Sequence, residues 1–309
     1  MIYLRVRGGL CNRMRALDSL FILCKKYNKD LTVLWPMDVA LNSEFENLFN
    51  IPEFDEFNLK IINCPPGFPE SYLPTFQKLL KNFLKGRKLD EELKRTVNVI
   101  NKIPKHHKME ELFLDNHYNS IIAKTQGQGT VEYMDNLFCE TLQDKTNQLF
   151  ASKADIYINS CYRLHEVIDN YQSFSPKKEI AIKIQQTTSK FVNTVGLHIR
   201  RSDHEASKQL STLEKFINVI DKEINSDSNT TFFISTDDED TKQSLIKSYG
   251  DRIIYNEITS YNRNSKEAVK EAVLDLYCLS KTKKLYGSHH SSFSQVAAKI
   301  GGIDEITAK

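Results

Sequence analysis

Met1-Ile-Tyr-Leu-Arg-Val-Arg-Gly-Gly-Leu10 joins a short apolar run to a glycine turn, and the residues after it predict a βαβ unit. Residues 1–7 have the composition of a strand. Apolar side chains then recur every three or four positions, at Met14, Leu17, Leu20, Phe21 and Cys24. This spacing predicts a helix from Cys11 to Tyr27, and Leu31-Thr-Val-Leu-Trp35 predicts a second strand. This strand-helix-strand pattern predicts two parallel strands joined by a right-handed crossover.

The second half of the chain repeats this alternation of strands and helices. Strands are predicted at 155–159, 194–199, 231–235, 252–255 and 284–286. Helices are predicted near 212–224, 240–249, 266–280 and 292–300, and from Ser175-Pro176 to about Lys190 with the proline in the first position. We expect an α/β protein with two Rossmann-like domains facing across a cleft, 1–175 with a helical middle insertion and 176–309.

Composition excludes several classes of protein. The chain has 309 residues, 40% hydrophobic and 27% charged, which is typical of an ordered globular protein. A net charge of +2 gives no field that would attract nucleic acid, so a basic site must be local. The six cysteines form no Cys-x-x-Cys pair, which argues against a structural zinc site and a disulfide framework. With no signal peptide and no apolar run of membrane-spanning length, we expect a cytoplasmic protein.

A lysine-rich stretch, 78–108, follows Pro65-Pro66-Gly67 and is predicted to be mainly helical. It lacks the interleaved aromatic residues of surfaces that stack on bases, so we expect no nucleic-acid partner. A solvated helical face is the favoured interpretation. Docking onto the anionic inner face of a membrane is a lesser hypothesis.

The segment Val195-Gly-Leu-His-Ile-Arg-Arg-Ser-Asp203 is a predicted strand that ends directly in His198, Arg200, Arg201 and Asp203. The guanidinium group matches phosphate oxygens bidentately and does not lose its proton. Ligands of open α/β sheets bind at the carboxyl ends of strands. The segment therefore predicts a site for a phosphate-bearing ligand, and the alternative is a surface ion-pair cluster.

Acidic residues follow the next strand, in Ser235-Thr-Asp237-Asp238-Glu-Asp240. Paired aspartates can hold a divalent metal, and they are also good caps for the helix that follows. Capping is favoured because no histidine or third carboxylate has the spacing of a metal ligand.

Two late segments add ligand chemistry. Small hydroxyl residues at a helix start, in Gly287-Ser-His-His-Ser291-Ser292-Phe-Ser294, predict an anion site, although a simple cap needs only one serine. Asp275 lies in the mostly apolar helix Glu267–Ser280. Its carboxylate can accept from the N1 and N2 hydrogens of guanine, and the alternative is a solvated helix face.

These motifs together resemble the fucosyltransferase superfamily, which includes α1,6-, nodulation, α1,2- and protein O-fucosyltransferases. The resemblance rests on Gly8-Gly-Leu-Cys-Asn12-Arg-Met-Arg15, on the His198 to Asp203 segment, on Ser235-Thr-Asp-Asp238 and on Asp275 followed by Ser291-Ser-Phe-Ser. It covers roughly 195–300 and the first 40 residues, whereas 60–170 matches no known pattern. The paired arginine is most similar to the α1,6 and nodulation branch.

The resemblance implies a GT-B-type fold and metal-independent, inverting transfer of fucose from GDP-fucose, with no cofactor, to a glycan or lipid-linked glycan. It places the amino-terminal domain on the acceptor side. By analogy, Arg200 binds the β-phosphate and assists departure of GDP, with Arg201 supporting it. The other implied donor-site residues are His198 beside the ribose or phosphates, Asp275 on guanine, Ser291 and Ser292 on phosphate oxygens, Asp203, Asp237 and Asp238 shaping the site, and Asn12 approaching from the other domain.

The sequence departs from the branch directly after the motif, where lysine is usual and His204-Glu205 stands here. Glu205 is our candidate for the general base, with His204 as the alternative. Cys11 also replaces a more usual glycine. Two other functions stay open: a transferase that uses another GDP-sugar, and a non-catalytic nucleotide- or carbohydrate-binding relative.

Overall fold

A computed structural model describes residues 1–66, 68, 109–112, 131–201, 205–262 and 264–308, with the side chains of 109–112 and 205–207 excepted. The predicted basic helical stretch 78–108 lies outside the described residues. Contacts divide the chain into unit 1 (Met1–Glu46, Ile51–Gln128 and Met134–Ile168) and unit 2 (Asn47–Asn50, Gly129–Tyr133 and Asp169–Lys309). The predicted boundary at residue 175 stays a prediction.

The helices and strands follow in chain order. The helices are α1 (Leu10–Tyr27), α2 (Val131–Ala151), α3 (Lys178–Thr188), α4 (Glu205–Leu210), α5 (Leu213–Ser226), α6 (Glu239–Tyr249), α7 (Lys266–Leu279) and α8 (Ser292–Gly301). The strands are β1 (Ile2–Val6), β2 (Leu31–Pro36), β3 (Phe49–Asn50), β4 (Leu59–Cys64), β5 (Met109–Leu112), β6 (Asp155–Ser160), β7 (Ser175–Pro176), β8 (Thr194–Ile199), β9 (Thr231–Thr236), β10 (Ile253–Ile254), β11 (Leu285–Gly287) and β12 (Glu305–Thr307).

Unit 1 contains a parallel sheet in the order β4-β2-β1-β6-β5. Every residue of β1 and β2 is buried, as expected for strands that helices cover on both faces. The predicted βαβ unit is confirmed, with Ile2 opposite Leu31. Gly8 turns the chain into α1 at φ +76°, a conformation that glycine adopts without strain.

Unit 2 contains a second parallel sheet, in the order β10-β9-β8-β11-β12. From β8 the chain moves outward to β9 and β10, then returns to add β11 and β12 on the other side. The strand order therefore reverses at β8. In open α/β sheets this switch point is where a crevice opens outside the carboxyl ends of the strands.

The core of unit 2 explains which way β8 presents its side chains. Val195, Leu197 and Ile199 are fully buried on one face, packed with residues of α5 and α6 that include Phe216 and Leu245. Side chains alternate across a strand, so His198 lies on the opposite face. The α/β class is thus confirmed by two parallel sheets, and an apolar strand delivers a polar tip.

One predicted helix start is wrong. Ser175-Pro176 forms β7, antiparallel to β3 with Pro176 opposite Phe49, and α3 begins at Lys178. Proline has no N–H to donate, and a two-strand ribbon tolerates it because one side of the strand needs no donor. Among the described residues, no helix is both long and apolar enough to cross a membrane.

Candidate functional site

The candidate site lies at the carboxyl end of β8, the switch strand. His198 is opposite Ser235 of β9 on one side and Gly287 of β11 on the other. Arg200 and Arg201 follow the last residue of the strand. The motif that predicted an anion site therefore lies where the sheet topology opens a crevice.

Neighbouring segments hold the backbone after β8. The Arg200 N–H donates to Ser288 Oγ at 2.9 Å, and the Arg201 N–H donates to Asp237 Oδ1 at 2.6 Å. Ser288 follows β11 and Asp237 follows β9. The tip is thus attached to both adjacent strands.

His198 is a buried, neutral side chain. It is 8% exposed, its ring stacks on Phe293 at 4.8 Å between centroids, and its Nδ1 lies 3.2 Å from Ser291 Oγ. Burial lowers the pKa of His198 to about 4, against the opposing effect of Asp237. The imidazole therefore carries no charge at neutral pH. It lies beside the arginines as a neutral hydrogen-bonding group.

Arg201 uses its guanidinium group on the protein itself. Its Nη2 donates to the Ser211 carbonyl at 2.9 Å, and its Nη1 lies 3.5 Å from the Lys208 carbonyl oxygen. Ser211 is fully buried, and its Oγ donates to the Ala308 carbonyl and accepts from the His289 N–H. Arg201 therefore braces the segment after α4 against the strand tip.

The two aspartates after β9 have different partners. Asp238 is the N-cap of α6 and accepts from the Thr241 N–H at 2.8 Å, so the capping prediction is confirmed for this aspartate. Asp237 accepts from the Arg201 backbone. No group of three or more His, Cys, Asp or Glu side chains in the described part of the chain is placed to hold a metal. That the protein needs no metal stays a prediction.

The serine-rich segment starts α8 as expected. Ser291 is the N-cap, with its Oγ accepting from the Phe293 N–H at 3.3 Å, and it is 4% exposed. The Ser292 hydroxyl makes no hydrogen bond to any residue that the structure describes, and Gln295 Oε1 is buried with no partner among them. A side chain at Gly287 would overlap Ser294, because an added Cβ would lie 2.6 Å from Ser294 Cβ.

Asp275 is buried, so the alternative of a solvated helix face is wrong. It is 4% exposed and accepts from Asn256 Nδ2 at 2.7 Å, and Asn256 accepts in turn from Thr187. Burial raises the pKa of Asp275 to about 6, while hydrogen bonds from Asn256 and Ser235 lower it. Since Ser235 is opposite His198, this carboxylate borders the same end of the sheet.

Sequence reasoning missed Lys242. This lysine is 4% exposed in the first turns of α6, and its Nζ is 2.7 Å from Glu239 Oε2 and 5.6 Å from the ring centroid of Tyr255. A cation near a helix amino terminus opposes the helix dipole, which is a signal that the sequence does contain. The positive charge of Lys242 helps to keep Asp275 ionised. Asn256 gave no comparable signal, because it lies in a loop of ordinary composition.

Asn12 lies in unit 1, in the first turn of α1, and its Oδ1 accepts from Arg15 Nη1 at 2.9 Å. Arg15 also forms a buried ion pair with Asp135. Asp203 and His204 lie outside the described residues. Glu205 begins α4, and its side chain is likewise outside them.

Solved structures of similar fold were found at low sequence identity. NodZ α-1,6-fucosyltransferase co-crystallised with GDP aligns with a TM-score of 0.60 and 13% identity, over 96% of this chain and 91% of that one. The fold is that of this fucosyltransferase. Another structure of NodZ comes from Bradyrhizobium. No family model matches the sequence, and no curated protein does.

Two further fucosyltransferase structures are similar. A variant of Arabidopsis thaliana FUT1 in complex with GDP has a TM-score of 0.53 and 16% identity, over 99% of this chain and 69% of that one. POFUT1 in complex with GDP-fucose has a TM-score of 0.52 and 12% identity, over 99% of this chain and 97% of that one. The resemblance expected from the motifs thus extends to the fold of nearly the whole chain.

Proposed function

We propose that this chain is an inverting, metal-independent glycosyltransferase that moves fucose from GDP-fucose to a hydroxyl group of a glycan. The observation that carries the proposal is the position of Arg200 directly after β8, where the strand order of unit 2 reverses. Proteins of the same fold have been crystallised with GDP or GDP-fucose. Topology, motif and fold therefore favour the same ligand.

Donor cleavage places negative charge on the leaving diphosphate as an oxocarbenium-like centre develops on the sugar. The Arg200 guanidinium is the proposed group that binds the β-phosphate and stabilises this charge. The amino end of α8 adds its dipole and the Ser292 hydroxyl, since Ser291 Oγ is already used as a cap. Fixed cationic and dipolar groups of this kind can assist departure of GDP.

The remaining donor contacts follow from burial and charge. Asp275 would accept from the guanine N1 and N2 hydrogens, with Asn256 fixing its orientation. Neutral His198 would lie beside the ribose or phosphates. Asp237 and Asp238 would shape the site through the backbone and helix start that they hold.

The acceptor side of the proposal rests on the sequence resemblance. Glu205 is the proposed base for the acceptor hydroxyl, with His204 as the alternative. Asp203 and Asn12 stay predicted contributors to the donor site, Asn12 from the amino-terminal domain of a GT-B arrangement.

The same proposal includes a glycan or lipid-linked glycan acceptor, a cytoplasmic location and peripheral membrane contact. Liposome co-sedimentation tests the membrane contact, and absence of binding would contradict it.

The decisive experiment measures fucose release and transfer from GDP-fucose, with GDP-mannose as competitor, in the presence of EDTA. We expect turnover of GDP-fucose that Arg200→Ala lowers by about 100- to 1000-fold. Arg252→Ala is the matched control, because Arg252 lies in the same unit and donates to the Ser228 and Thr230 carbonyls. Preference for GDP-mannose would favour the other GDP-sugar transferase. GDP binding without turnover would favour the non-catalytic relative.

A transfer assay on a glycan array would then identify the acceptor. Loss of transfer with retained donor hydrolysis in Glu205→Gln would support Glu205 as the base. Unchanged transfer in that variant would move the role to His204 or to another residue.

A further inference from the structure

Two consecutive backbone amides at the tip of β8 are held by side chains from opposite neighbours. The Arg200 N–H donates to Ser288 after β11, and the Arg201 N–H donates to Asp237 after β9. Backbone amides beside a cationic motif would otherwise be donors for a bound anion. Here both amides are already satisfied within the protein.

The Ser288 hydroxyl is used entirely in hydrogen bonds to the β8 backbone. It is 1% exposed, and its Oγ accepts from Arg200 while lying 3.3 Å from the His198 carbonyl oxygen, to which it donates. Its own N–H donates to the same carbonyl at 3.1 Å. A hydroxyl group has one hydrogen to donate, so Ser288 has none left for a phosphate oxygen.

Fixing two successive peptide groups fixes the direction in which the Arg200 side chain leaves the backbone. Reacting groups must be held closely, since a misplacement of about 1 Å can cost about 100-fold in rate. We propose that Ser288 and Asp237 are positioning residues that clamp the Arg200 and Arg201 amides and thereby aim the Arg200 guanidinium at the donor diphosphate. The aim at a diphosphate rests on the proposed function, whereas the clamp does not.

Amide exchange tests the clamp without any substrate. Ile199-Arg200 is the only Ile-Arg step in the sequence and Arg200-Arg201 the only Arg-Arg step. Carbonyl-¹³C isoleucine or arginine combined with ¹⁵N-arginine therefore selects each amide individually by NMR. We expect Ser288→Ala to accelerate exchange of the Arg200 amide about tenfold, the effect of one lost hydrogen bond.

Matched variants separate the clamp from general loosening of the fold. Ser280→Ala removes another buried hydroxyl of unit 2, which donates only to the Tyr277 carbonyl, and should leave both amides protected. Asp237→Ala should accelerate exchange of the Arg201 amide. Asp237→Asn keeps an acceptor oxygen, so the Arg201 amide should stay protected from exchange. These two variants carry the test if Ser288→Ala does not fold. Unchanged exchange in the folded Ser288 and Asp237 alanine variants would overturn the clamp.

Kinetics then test the positioning role. In Ser288→Ala we expect kcat for GDP-fucose turnover to fall about 10- to 100-fold, while the Kd for GDP changes less than about threefold. Rapid amide exchange with wild-type kcat would contradict the positioning role. If the wild-type protein neither binds GDP nor turns over GDP-fucose, the proposed function and the aim at a diphosphate both fail, and amide exchange still decides the clamp.

Discussion

The two units of this molecule use arginine in opposite ways. In unit 1, buried arginines pair with carboxylates: Arg13 with Asp38, Arg15 with Asp135 and Arg163 with Asp18. In unit 2, at the tip of β8, aspartate and serine side chains hold the backbone of the two arginines, and Arg201 donates to carbonyl oxygens. Carboxylates in unit 1 thus form ion pairs with guanidinium groups, whereas the Asp237 carboxylate of unit 2 accepts from a backbone amide and, with Asp238, favours the charged form of Arg201.

This difference indicates different roles for the arginines of the two units. A buried ion pair loses much of its energy to desolvation, and removing one partner leaves an uncompensated charge. At the tip of β8, the bonds to Ser288 and Asp237 position the backbone from which the Arg200 side chain, the proposed phosphate-binding group, extends. The same residue type therefore has a structural role in unit 1 and a proposed catalytic role in unit 2.

The largest effect is expected from breaking a buried pair in unit 1. Arg163 Nη2 lies 2.8 Å from Asp18 Oδ2, and both side chains are at most 2% exposed. Arg163→Met should lower the free energy of unfolding by about 3–5 kcal/mol because Asp18 would stay buried without a counter-charge. Urea unfolding measures this loss.

A double variant is the control for that prediction. Arg163→Met combined with Asp18→Leu should recover most of the stability, because an apolar pair leaves no unmatched charge. A double variant as unstable as the single one would show that Arg163 acts through the carbonyls of His165 and Glu166, to which it also donates.

Removing Arg200 should have the opposite profile. We expect Arg200→Ala to lower kcat by about 100- to 1000-fold, the usual cost of losing a group that stabilises transition-state charge. Thermal unfolding should stay close to wild type, since the tip is held through its backbone. A large loss of stability in this variant would remove the contrast between the two units.

The carboxylate of Asp275 provides a test of base selection. Xanthosine diphosphate has a carbonyl group where GDP has the C2 amino group, so Asp275→Asn should weaken GDP binding and favour the xanthine nucleotide by about 1–3 kcal/mol. Calorimetric titration of both nucleotides checks this. Equal loss of both affinities would mean that Asp275 supports the fold without contacting the base.

The same residue predicts a pH dependence. Because the pKa of Asp275 is raised to about 6, the carboxylate is ionised above that value and can accept from guanine. GDP affinity should therefore fall as the pH decreases through about 6, and it should fall less steeply in Asp275→Asn, where only the GDP phosphate still titrates in this range. The same pH dependence in the wild-type protein and in Asp275→Asn would contradict the assignment.

Sequence patterns predicted the elements that carry a local signal. Strand β8 and helix α8 were located correctly because an apolar run and a serine cap are local signals. The helix start at Pro176 was wrong, because pairing with Phe49 depends on a residue distant in the chain. Ser288 belongs to the serine-rich segment before α8, but its bond to the Arg200 amide joins residues 88 positions apart. Local patterns thus predict which residues gather at the site, and tertiary contacts decide what each one holds.

The smallest expected effect is a loss of stability that distinguishes the role of Asp238 from that of the adjacent Asp237. Asp238 caps α6, so Asp238→Ala should lower the free energy of unfolding by about 1 kcal/mol, whereas Asp238→Asn, which can also cap, should lose little. Asp238→Asn keeps both the helix cap and the bond between Asp237 and the Arg201 amide, so its kcat for GDP-fucose should stay within about threefold of wild type. Urea unfolding and donor turnover measure the two quantities on the same variants. A drop in kcat in Asp238→Asn at wild-type stability would show that the charge of Asp238 acts on the donor, and the division between a capping and a clamping aspartate would then be wrong.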